Sequence, residues 1–459
     1  MTKFSGAAFA AGLALFTANC AQAQHAQPDV QSASVDAAAA EAQRADIAIF
    51  QEQFLGADRS YSASARAEAE ARLAALSAQS GAVSAAYFEL ELSRIVALAD
   101  NGHTILFPAA RAAHFNRVPV RLAFMDGDFY VMRAEPGYAD LLGAKLVAID
   151  NADIETLRAA ARTLLGGADN WRDRAAPFLL ESPEQLHALG LAERADAAHY
   201  QFESPNGRSA VARMLPGAPS APPEMSMGGL VGQNWFMPEI AADSASRMVL
   251  SAEDAPWSLR EPGRAFRSRA APELNAYVLQ IRQVSDSGDE AIADAMARFE
   301  AELRAAAPQH VVLDMRGNHG GDLNTTRAFM QALPGLVPGR IFVLTDEGTF
   351  SAAISSIGYL RQAGGVRVTI VGAPVGDRLN FFAEGGLVRL PNAQSFLLVA
   401  TERHDYQTGC EGYDDCHGAV VRNPIAVETL APDIAAPWTM DAYSAGRDPA
   451  MEAVAAALR

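Results

Sequence analysis

The sequence predicts a mixed α/β protein whose C-terminal part contains a largely parallel sheet. Short apolar runs near Val311, Ile341 and Val368 have the length and composition of strands buried on both faces, and helical patterns separate them. Alternation of this kind is typical of a parallel sheet covered by helices. The residues before this part favour helices first and short alternating strands second. We therefore expect three structural regions.

The first region is predicted to be helical. Two helical stretches are expected, from Val35 to about Ser77 and from Ser84 to Asp100. In the second stretch, apolar residues recur at the spacing of one helix face: Phe88, Leu92, Ile95 and Ala99. We assign residues 35–117 to an N-terminal helical domain.

The second region, residues 118–215, is predicted to be rich in short strands. Alternating runs cover Val120–Phe124, Phe129–Arg133 and Lys145–Ile149, and a helical pattern follows near Ile154–Leu165. The segment Leu142–Asp150 resembles the strand that precedes the second helix of a PDZ domain, so we interpret this region as PDZ-like. A generic small β-rich domain is the alternative, because no Gly-Leu-Gly-Phe-type loop for a peptide carboxylate is present.

Residues 216–272 are predicted to connect the second region to the third. The stretch Pro216–Gly229 has the Pro, Gly and Ser content of a linker. The third region, residues 273–459, then opens with a strand at Ala276–Arg282 and an amphipathic helix at Asp289–Arg304. A further strand of the same α/β core with its largely parallel sheet is expected near Phe396, after those near Val311, Ile341 and Val368.

Two segments of the third region carry the predicted chemistry. The segment Val311–Asp322 is an apolar run that breaks into a Gly-containing turn, where backbone N–H groups can bind an anion. In Thr349-Phe-Ser-Ala-Ala353, Ser351 opens a helical pattern, and the N-terminus of a helix stabilises negative charge. Either segment alone is also compatible with an ordinary N-cap or turn. Together they predict an oxyanion-binding loop beside a nucleophilic serine.

The order and the residue sequence of these segments resemble those of the C-terminal processing (tail-specific) and tricorn-type serine peptidases. That family has a strand ending in Asp-x-Arg-x-Asn-x-Gly-Gly, and later Thr-x-Ser-Ala. The matching residues here are Asp314, Arg316, Asn318, Gly320, Gly321, Thr349, Ser351 and Ala352. The resemblance extends over roughly residues 273 to 455 of this sequence. It implies a crotonase-like catalytic core that cleaves peptides or unfolded proteins through an acyl-enzyme on Ser351.

The resemblance also implies an oxyanion hole and a base. Backbone N–H groups of Gly320 or Gly321 and of Ala352 are expected to hold the oxyanion. The tail-specific branch uses a lysine about twenty-five residues after the serine, where this sequence has Arg378, which stays protonated. The only lysines, Lys3 and Lys145, lie far from that position in the sequence. A histidine is therefore required, as in the tricorn-type branch.

His103, directly after the second helical stretch, matches the position of the base in the tricorn-type branch. Gly102 stands where that branch has a serine beside the histidine. His319 and His404 are the reserve candidates. Glu428, shortly before Pro432-Asp433 and offset from the family position, is predicted to orient His103, although a solvated surface charge is the alternative.

The predicted mechanism needs no metal and no organic cofactor. Two other functions remain compatible with the sequence. A catalytically inactive peptide-binding protein could keep the same fold, and a serine esterase would use the same chemistry on small acyl compounds. The sequence does not separate the esterase from the peptidase.

Composition limits the partners. The 459 residues include 37 basic and 54 acidic side chains, a net charge of −17, which argues against nucleic acid and anionic membranes. After the leader, no stretch reaches the ~20 apolar residues that span a bilayer.

The N-terminus is predicted to be a signal peptide, residues 1–23. Lys3 is followed by a run of apolar and small residues, and Ala21-Gln-Ala23 has the pattern of a cleavage site. We therefore expect export to the periplasm or the medium. Lipid anchoring through Cys20 is less favoured, because Thr17-Ala-Asn19 is a poor lipobox.

Cleavage of this leader would leave two cysteines, Cys410 and Cys416. An even number of cysteines in an exported chain favours a disulfide. The alternative is a metal site in which both thiols are reduced and act together with His404 and His417.

Overall fold

The computed structural model describes residues 36–219, 231, 236–239, 246–288 and 290–459. The expected signal peptide, its Cys20 and residues 220–229 of the expected linker lie outside these residues. Within the described part, residues 36–459 belong to one compact unit.

The helices are distributed over the whole described chain. They are α1 Ala37–Ile49, α2 Ala63–Ala78, α3 Ala85–Ala97, α4 Pro108–His114, α5 Ile154–Arg162, α6 Asp169–Ala175, α7 Pro177–Leu180, α8 Pro183–Ala188, α9 Ile292–Ala306, α10 Leu323–Leu336, α11 Ala352–Gly364, α12 Gly418–Arg422, α13 Met440–Ser444 and α14 Pro449–Ala457. A π-helical turn, Phe50–Leu55, follows α1, and short 3-10 turns cover Pro136–Leu141, Trp257–Leu259, Pro272–Leu274 and Gly365–Arg367.

The strands form four sheets. They are β1 Ile105–Leu106, β2 Val120–Met125, β3 Asp128–Ala134, β4 Lys145–Ile149, β5 Ala152–Asp153, β6 Ala198–Glu203, β7 Ser209–Met214, β8 Arg247–Met248, β9 Phe266–Ala271, β10 Ala276–Ile281, β11 His310–Asp314, β12 Ile341–Thr345, β13 Val368–Gly372, β14 Asn380–Ala383, β15 Leu387–Leu390, β16 Ser395–Leu398, β17 Glu402–Asp405 and β18 Ile434–Ala435.

The central sheet of the C-terminal region has six strands in the order β18-β13-β12-β11-β10-β9. All neighbours are parallel except β9, which pairs antiparallel with β10 at one edge. Every residue of β12 and β13 is buried, as expected for strands covered on both faces. The predicted parallel sheet and the strands near Val311, Ile341 and Val368 are confirmed.

The middle region contains an antiparallel sheet in the order β2-β3-β4-β6-β7, with β5 and β8 paired at its sides. The three strands predicted here are β2, β3 and β4, and the predicted helix is α5. Leu146 of β4 and Leu157 of α5 lie in one apolar core.

The strand near Phe396 does not belong to the parallel sheet. This strand, β16, lies between β1 and β15 in a separate antiparallel sheet. Its residues alternate between buried and exposed, with Phe396 41% exposed and Leu397 fully buried. Such alternation is typical of a sheet with one solvated face. Leu397 packs in the core of the N-terminal helices, so this C-terminal strand completes the first region.

The first predicted helix is interrupted. The chain leaves the helix after Leu55, and α2 begins beyond Ser62, whose hydroxyl accepts a hydrogen bond from the Ala65 N–H at 3.2 Å. Between them, the buried carboxylate of Asp58 accepts hydrogen bonds from Ser60 N–H at 2.9 Å and Ala400 N–H at 2.8 Å. These contacts attach the helical region to the C-terminal one.

Among the described residues, no helix is both long enough and apolar enough to cross a membrane.

Candidate active site

Ser351 lies in a sharp turn between β12 and α11. Its φ is 54° and its ψ is −126°, a backbone conformation that is rare outside glycine and costs of the order of 1–3 kcal/mol. Its hydroxyl forms no capping hydrogen bond with α11. A strained serine between a strand and a helix is the geometry that exposes a nucleophile above a sheet.

The predicted oxyanion loop touches this turn. A Cβ placed on Gly320 would lie 2.7 Å from both Ser351 Cβ and Ala352 N, so only glycine permits the contact. The Ala352 N–H is at the first position of α11, where helical N–H groups have no partner within the helix. The Gly320 N–H donates instead to Asn318 Oδ1 at 2.9 Å. Gly321 is exposed.

Side chains of the loop motif hold its shape. Asn318 Nδ2 donates to Ile281 O at 2.9 Å, and the Phe350 N–H donates to Asn318 O at the same distance. Arg316 donates to Asp314 at 2.9 Å and to Asp448 at 2.8 and 2.9 Å. The predicted oxyanion loop and the serine turn are therefore linked by hydrogen bonds.

His103 lies in a turn between α3 and β1 and is only 5% exposed. The side-chain amide of Asn101 fixes this turn, because it both donates to Phe382 O and accepts from Phe382 N–H at 2.9 Å. The imidazole stacks on Phe350, which precedes Ser351, with ring centroids 4.3 Å apart. It also stacks on Phe381 of β14 at 4.8 Å. The structure thus brings His103 against the residue next to the serine.

Asp377 is the carboxylate beside His103, and the sequence interpretation missed it. His103 Nδ1 lies 3.3 Å from Asp377 Oδ2, and the Asp377 side chain is 2% exposed. The alignment of these atoms falls short of a hydrogen bond, as is common in active sites without substrate. Asp377 stands beside Arg378, the residue at the position expected for a lysine base.

The location of Asp377 shortly after a predicted parallel strand is a feature of the sequence that could have identified it. Asp377 follows β13, the loop Met315–Asp322 follows β11, and Ser351 follows β12. The carboxyl ends of parallel strands meet at one edge of the sheet, where α/β proteins bind their ligands.

Gly102 has a steric role at this site. A Cβ on Gly102 would lie 2.7 Å from Asp377 Oδ2 and 3.1 Å from the Phe350 ring. A serine at this position would collide with the carboxylate that His103 faces.

Glu428 lies apart from this arrangement. Its side chain is exposed, and no hydrogen bond or ion pair joins it to His103 within the described part of the chain. Lys145, the lysine outside the expected leader, lies in the middle sheet, 3.7 Å from Asp128 and 3.6 Å from Glu203.

The two reserve histidines occupy different surroundings. His319 is half-buried in the oxyanion loop, and burial together with the nearby Arg174 holds its pKa well below the usual range. His404 of β17 stacks on Phe381 at 5.1 Å and is 2% exposed. Burial lowers the pKa of His404 as well.

A small cavity lies next to the loops at this edge of the sheet. Phe124, Phe236 and Trp438 form apolar parts of its wall, and Asp346 and Glu347 form acidic parts. Burial, followed by the neighbouring Asp346, raises the pKa of Glu347 to about 7. Residues of the middle sheet and of the central parallel sheet both line this cavity.

Cys410 and Cys416 are joined by a disulfide with a Cα–Cα distance of 6.1 Å. The bridge closes a short loop between β17 and α12. Because both sulfurs are bonded to each other, a metal site that uses reduced thiols is not present in this structure.

Solved structures provide the comparison with known proteins. No protein-family model and no curated protein sequence matches the chain. Mature CPAF is similar with a TM-score of 0.54 and 14% identity, covering 92% of this chain and 97% of that chain. Mature CPAF complexed with lactacystin has a TM-score of 0.55, 14% identity, and coverage of 92% and 98%.

The photosystem II D1 C-terminal processing protease has a TM-score of 0.32 and 13% identity, covering 90% of this chain and 98% of that chain. Because the two CPAF structures are only 14% identical to this chain in sequence, their similarity to it concerns the fold alone. It shows that this mixed α/β chain has the fold of mature CPAF over most of its length.

Proposed function

We propose that the chain is a serine-type peptidase that cleaves peptides or unfolded proteins through an acyl-enzyme on Ser351. The observation that carries the proposal is the strained turn at Ser351, with the motif loop on one side and the His103 ring stacked on the adjacent Phe350. A backbone strain of this kind is retained where a site needs it. The sequence motif around Ser351 supports the same activity.

In the proposed mechanism, His103 accepts the proton of the Ser351 hydroxyl as the oxygen attacks the peptide carbonyl. Asp377 faces Nδ1 of His103, so Nε2 is the nitrogen that takes the proton. The tetrahedral intermediate collapses, His103 protonates the leaving amine, and the acyl-enzyme remains. Water, deprotonated by His103, then attacks the ester, and the departing Ser351 oxygen takes that proton from His103 as the second intermediate collapses.

The oxyanion is assigned to the backbone N–H groups of Ala352 and Gly321. Ala352 N–H has no partner within its own helix, whereas the Gly320 N–H already donates to Asn318. Gly320 instead allows the loop to approach Ser351 Cβ. Of the three predicted residues, Gly320 therefore acts through its lack of a side chain.

Asp377 takes the role that the sequence analysis gave to Glu428. A buried carboxylate facing Nδ1 fixes the ring orientation and stabilises the imidazolium that forms during attack. Asp377 satisfies both conditions, with a side chain 2% exposed and 3.3 Å from the ring. Glu428 is exposed and satisfies neither in this structure.

Export of the chain is part of the proposal. The predicted leader, residues 1–23, and the disulfide between Cys410 and Cys416 both fit an oxidising compartment.

A fluorophosphonate probe tests the proposal, because it modifies only an activated serine. We expect one adduct per chain, mapped to Ser351 by mass spectrometry, and no labelling in Ser351→Ala. The matched control is Ser355→Ala, four residues later and inside α11, which should label normally. Labelling of another residue, or none in a folded wild-type chain, would overturn the serine assignment. Peptide and small-ester substrates assayed in parallel distinguish the peptidase from an esterase.

A further inference from the structure

A second cluster of ligand-type side chains lies beyond Phe381, outside the proposed catalytic residues. Atoms of Glu384, His404 and His417 that could bind a metal all lie within 4.8 Å of one another. The rings of His404 and His417 stack with centroids 5.2 Å apart. These residues come from three segments, the end of β14, strand β17 and the start of α12. Their convergence is therefore a tertiary feature.

The strongest sign of a ligand is the buried Nε2 of His404, which forms no hydrogen bond with the described residues. This side chain is 2% exposed, and its Nε2 is buried without a hydrogen-bond partner among the described residues. Nε2 points into the cluster, 3.3 Å from Glu384 Oε1. A buried polar atom without a partner is costly, and a bound cation would satisfy it.

The other ring nitrogens are already held. His404 Nδ1 lies 2.9 Å from the Tyr406 hydroxyl, and His417 Nδ1 lies 2.6 Å from Glu402 Oε2. Histidines that bind metals usually donate their second N–H to a carboxylate, hydroxyl or carbonyl, which fixes the ring and leaves the first nitrogen for the metal. Both histidines have a partner of this kind beside Nδ1.

We propose that Glu384, His404 and His417 bind one divalent cation of the zinc class. Two imidazoles and one carboxylate suit zinc and similar transition metals, and they suit calcium or magnesium poorly. Ligands of tetrahedral zinc lie about 3.3 Å apart, given metal–ligand distances near 2.0–2.1 Å. The exposed Glu384 and half-buried His417 side chains move to close the cluster. Water completes the coordination.

The neighbouring disulfide removes Cys410 and Cys416 from the possible ligands. Cys416 precedes His417, but its sulfur is bonded to Cys410. The His417 N–H donates to Arg403 O at 2.9 Å, which anchors the loop beside β17. A bound ion would join three segments that hydrogen bonds already bring together, and we expect it to raise the melting temperature.

Zinc binding by the full, tag-free chain in buffer without reductant tests the proposal. We expect one Zn²⁺ per chain by calorimetry or equilibrium dialysis, with a higher Tm. His417→Asn and Glu384→Gln should each weaken binding by about tenfold or more. Both positions are at least partly exposed, so the folds should survive, and the Tm without zinc verifies this. The matched control is His199→Asn, because His199 also lies 3.3 Å from a carboxylate, Asp150, but has no second histidine in its group.

The outcomes separate a metal site from an ion pair. Unchanged affinity in His199→Asn with weakened binding in the other two variants supports the site. Absence of saturable zinc binding in the wild type would mean that His404 and Glu384 form an ion pair only, and it overturns the proposal. Binding that His417→Asn and Glu384→Gln leave unchanged overturns it too, because the ion then lies elsewhere. Neither result depends on peptidase activity.

Discussion

Two histidine–carboxylate pairs stack on the ring of Phe381, and they differ in what surrounds them. His103 Nδ1 lies 3.3 Å from Asp377, and His404 Nε2 lies 3.3 Å from Glu384. Both histidines are buried. The Asp377 side chain is 2% exposed, whereas that of Glu384 is 42% exposed. The same contact distance therefore occurs in two electrostatic environments.

The partners beyond each pair differ as well. His103 contacts Phe350, the neighbour of the strained Ser351, while His404 contacts His417 beside the disulfide loop. Contact with His404 holds the pKa of Glu384 below its usual range. A histidine–carboxylate distance alone thus does not define a catalytic unit. A nearby nucleophile and a buried acid distinguish the first pair from the second.

Replacement of the two histidines should have the largest and most unequal effect. We expect His103→Gln to lower kcat/KM by about 10⁴-fold or more, because the serine loses its base. His404→Gln should change it by less than about tenfold, since its ring contacts Phe381 rather than the serine turn. Peptide hydrolysis by purified variants, with thermal melts to verify folding, measures both. A larger loss in His404→Gln would reverse the assignment of the two pairs.

The carboxylates provide the next comparison. Asp377→Asn should reduce kcat by about 10³- to 10⁴-fold, because an amide favours the wrong tautomer of His103. Glu384→Gln and Glu428→Gln should remain within about twofold of the wild type if neither acts on the base. Steady-state kinetics give kcat for the three variants and so show which carboxylate acts on His103. A strong loss in Glu428→Gln alone would restore the original prediction from the sequence.

Gly102→Ser tests how tightly the first pair is packed. The new Cβ would lie 2.7 Å from Asp377 Oδ2, so the carboxylate must move away from His103. We expect a destabilisation of about 1–3 kcal/mol from overpacking, together with a fall in kcat. Denaturant unfolding and peptide hydrolysis measure the two effects.

Gly137→Ser is the control for that substitution, because a Cβ there meets no atom within 4 Å. It should leave both the free energy of unfolding and kcat close to those of the wild type. Wild-type kcat in Gly102→Ser would show that the close approach of Asp377 is not needed.

The smallest expected effect concerns His319, a third histidine near the site. Burial and Arg174 lower its pKa, so the folded chain resists protonation that the unfolded chain accepts below about pH 6.5. The unfolded state then binds more protons, and stability falls as the pH falls, with a slope of up to about 1.4 kcal/mol per pH unit from this group. His319→Gln should lose this component of the slope. Chemical denaturation of both proteins at several pH values between 5 and 8 measures the slope of the free energy of unfolding against pH. Equal slopes for the wild type and the variant would contradict this prediction.

The sequence predicted those parts of the candidate site that are formed by short contiguous segments of the chain. The run Val311–Leu313 and the motif up to Asp322 specified a buried strand and a loop, and Ser351 was placed at a helix start. Continuous apolar runs report burial on both faces, so the parallel sheet could be predicted from them. His103 came from a family position, and the structure brings it next to Phe350.

Only the tertiary structure determined which distant residues meet. Asp377 and Glu428 are both acidic residues near a proline, and the resemblance to the tricorn-type pattern pointed to Glu428, the exposed one. Strand β16 was assigned to the wrong sheet, because its pairing with β1 depends on residues about 290 positions away. Glu384 joins His404 and His417 only through the folding of β14 and β17.

Local hydrogen bonding and hydrophobic periodicity act over a few residues, and they were sufficient for the strands, helices and nucleophile turn. The proposed base His103, its carboxylate Asp377 and the Glu384 cluster depend on contacts between segments far apart in the sequence. Closing such long loops requires no particular local sequence pattern, so the sequence does not reveal these contacts. The sequence by itself therefore determined the proposed nucleophile, Ser351, and the sheet that carries it. The packing of Phe350, Phe381 and Gly102 decided which acid faces His103.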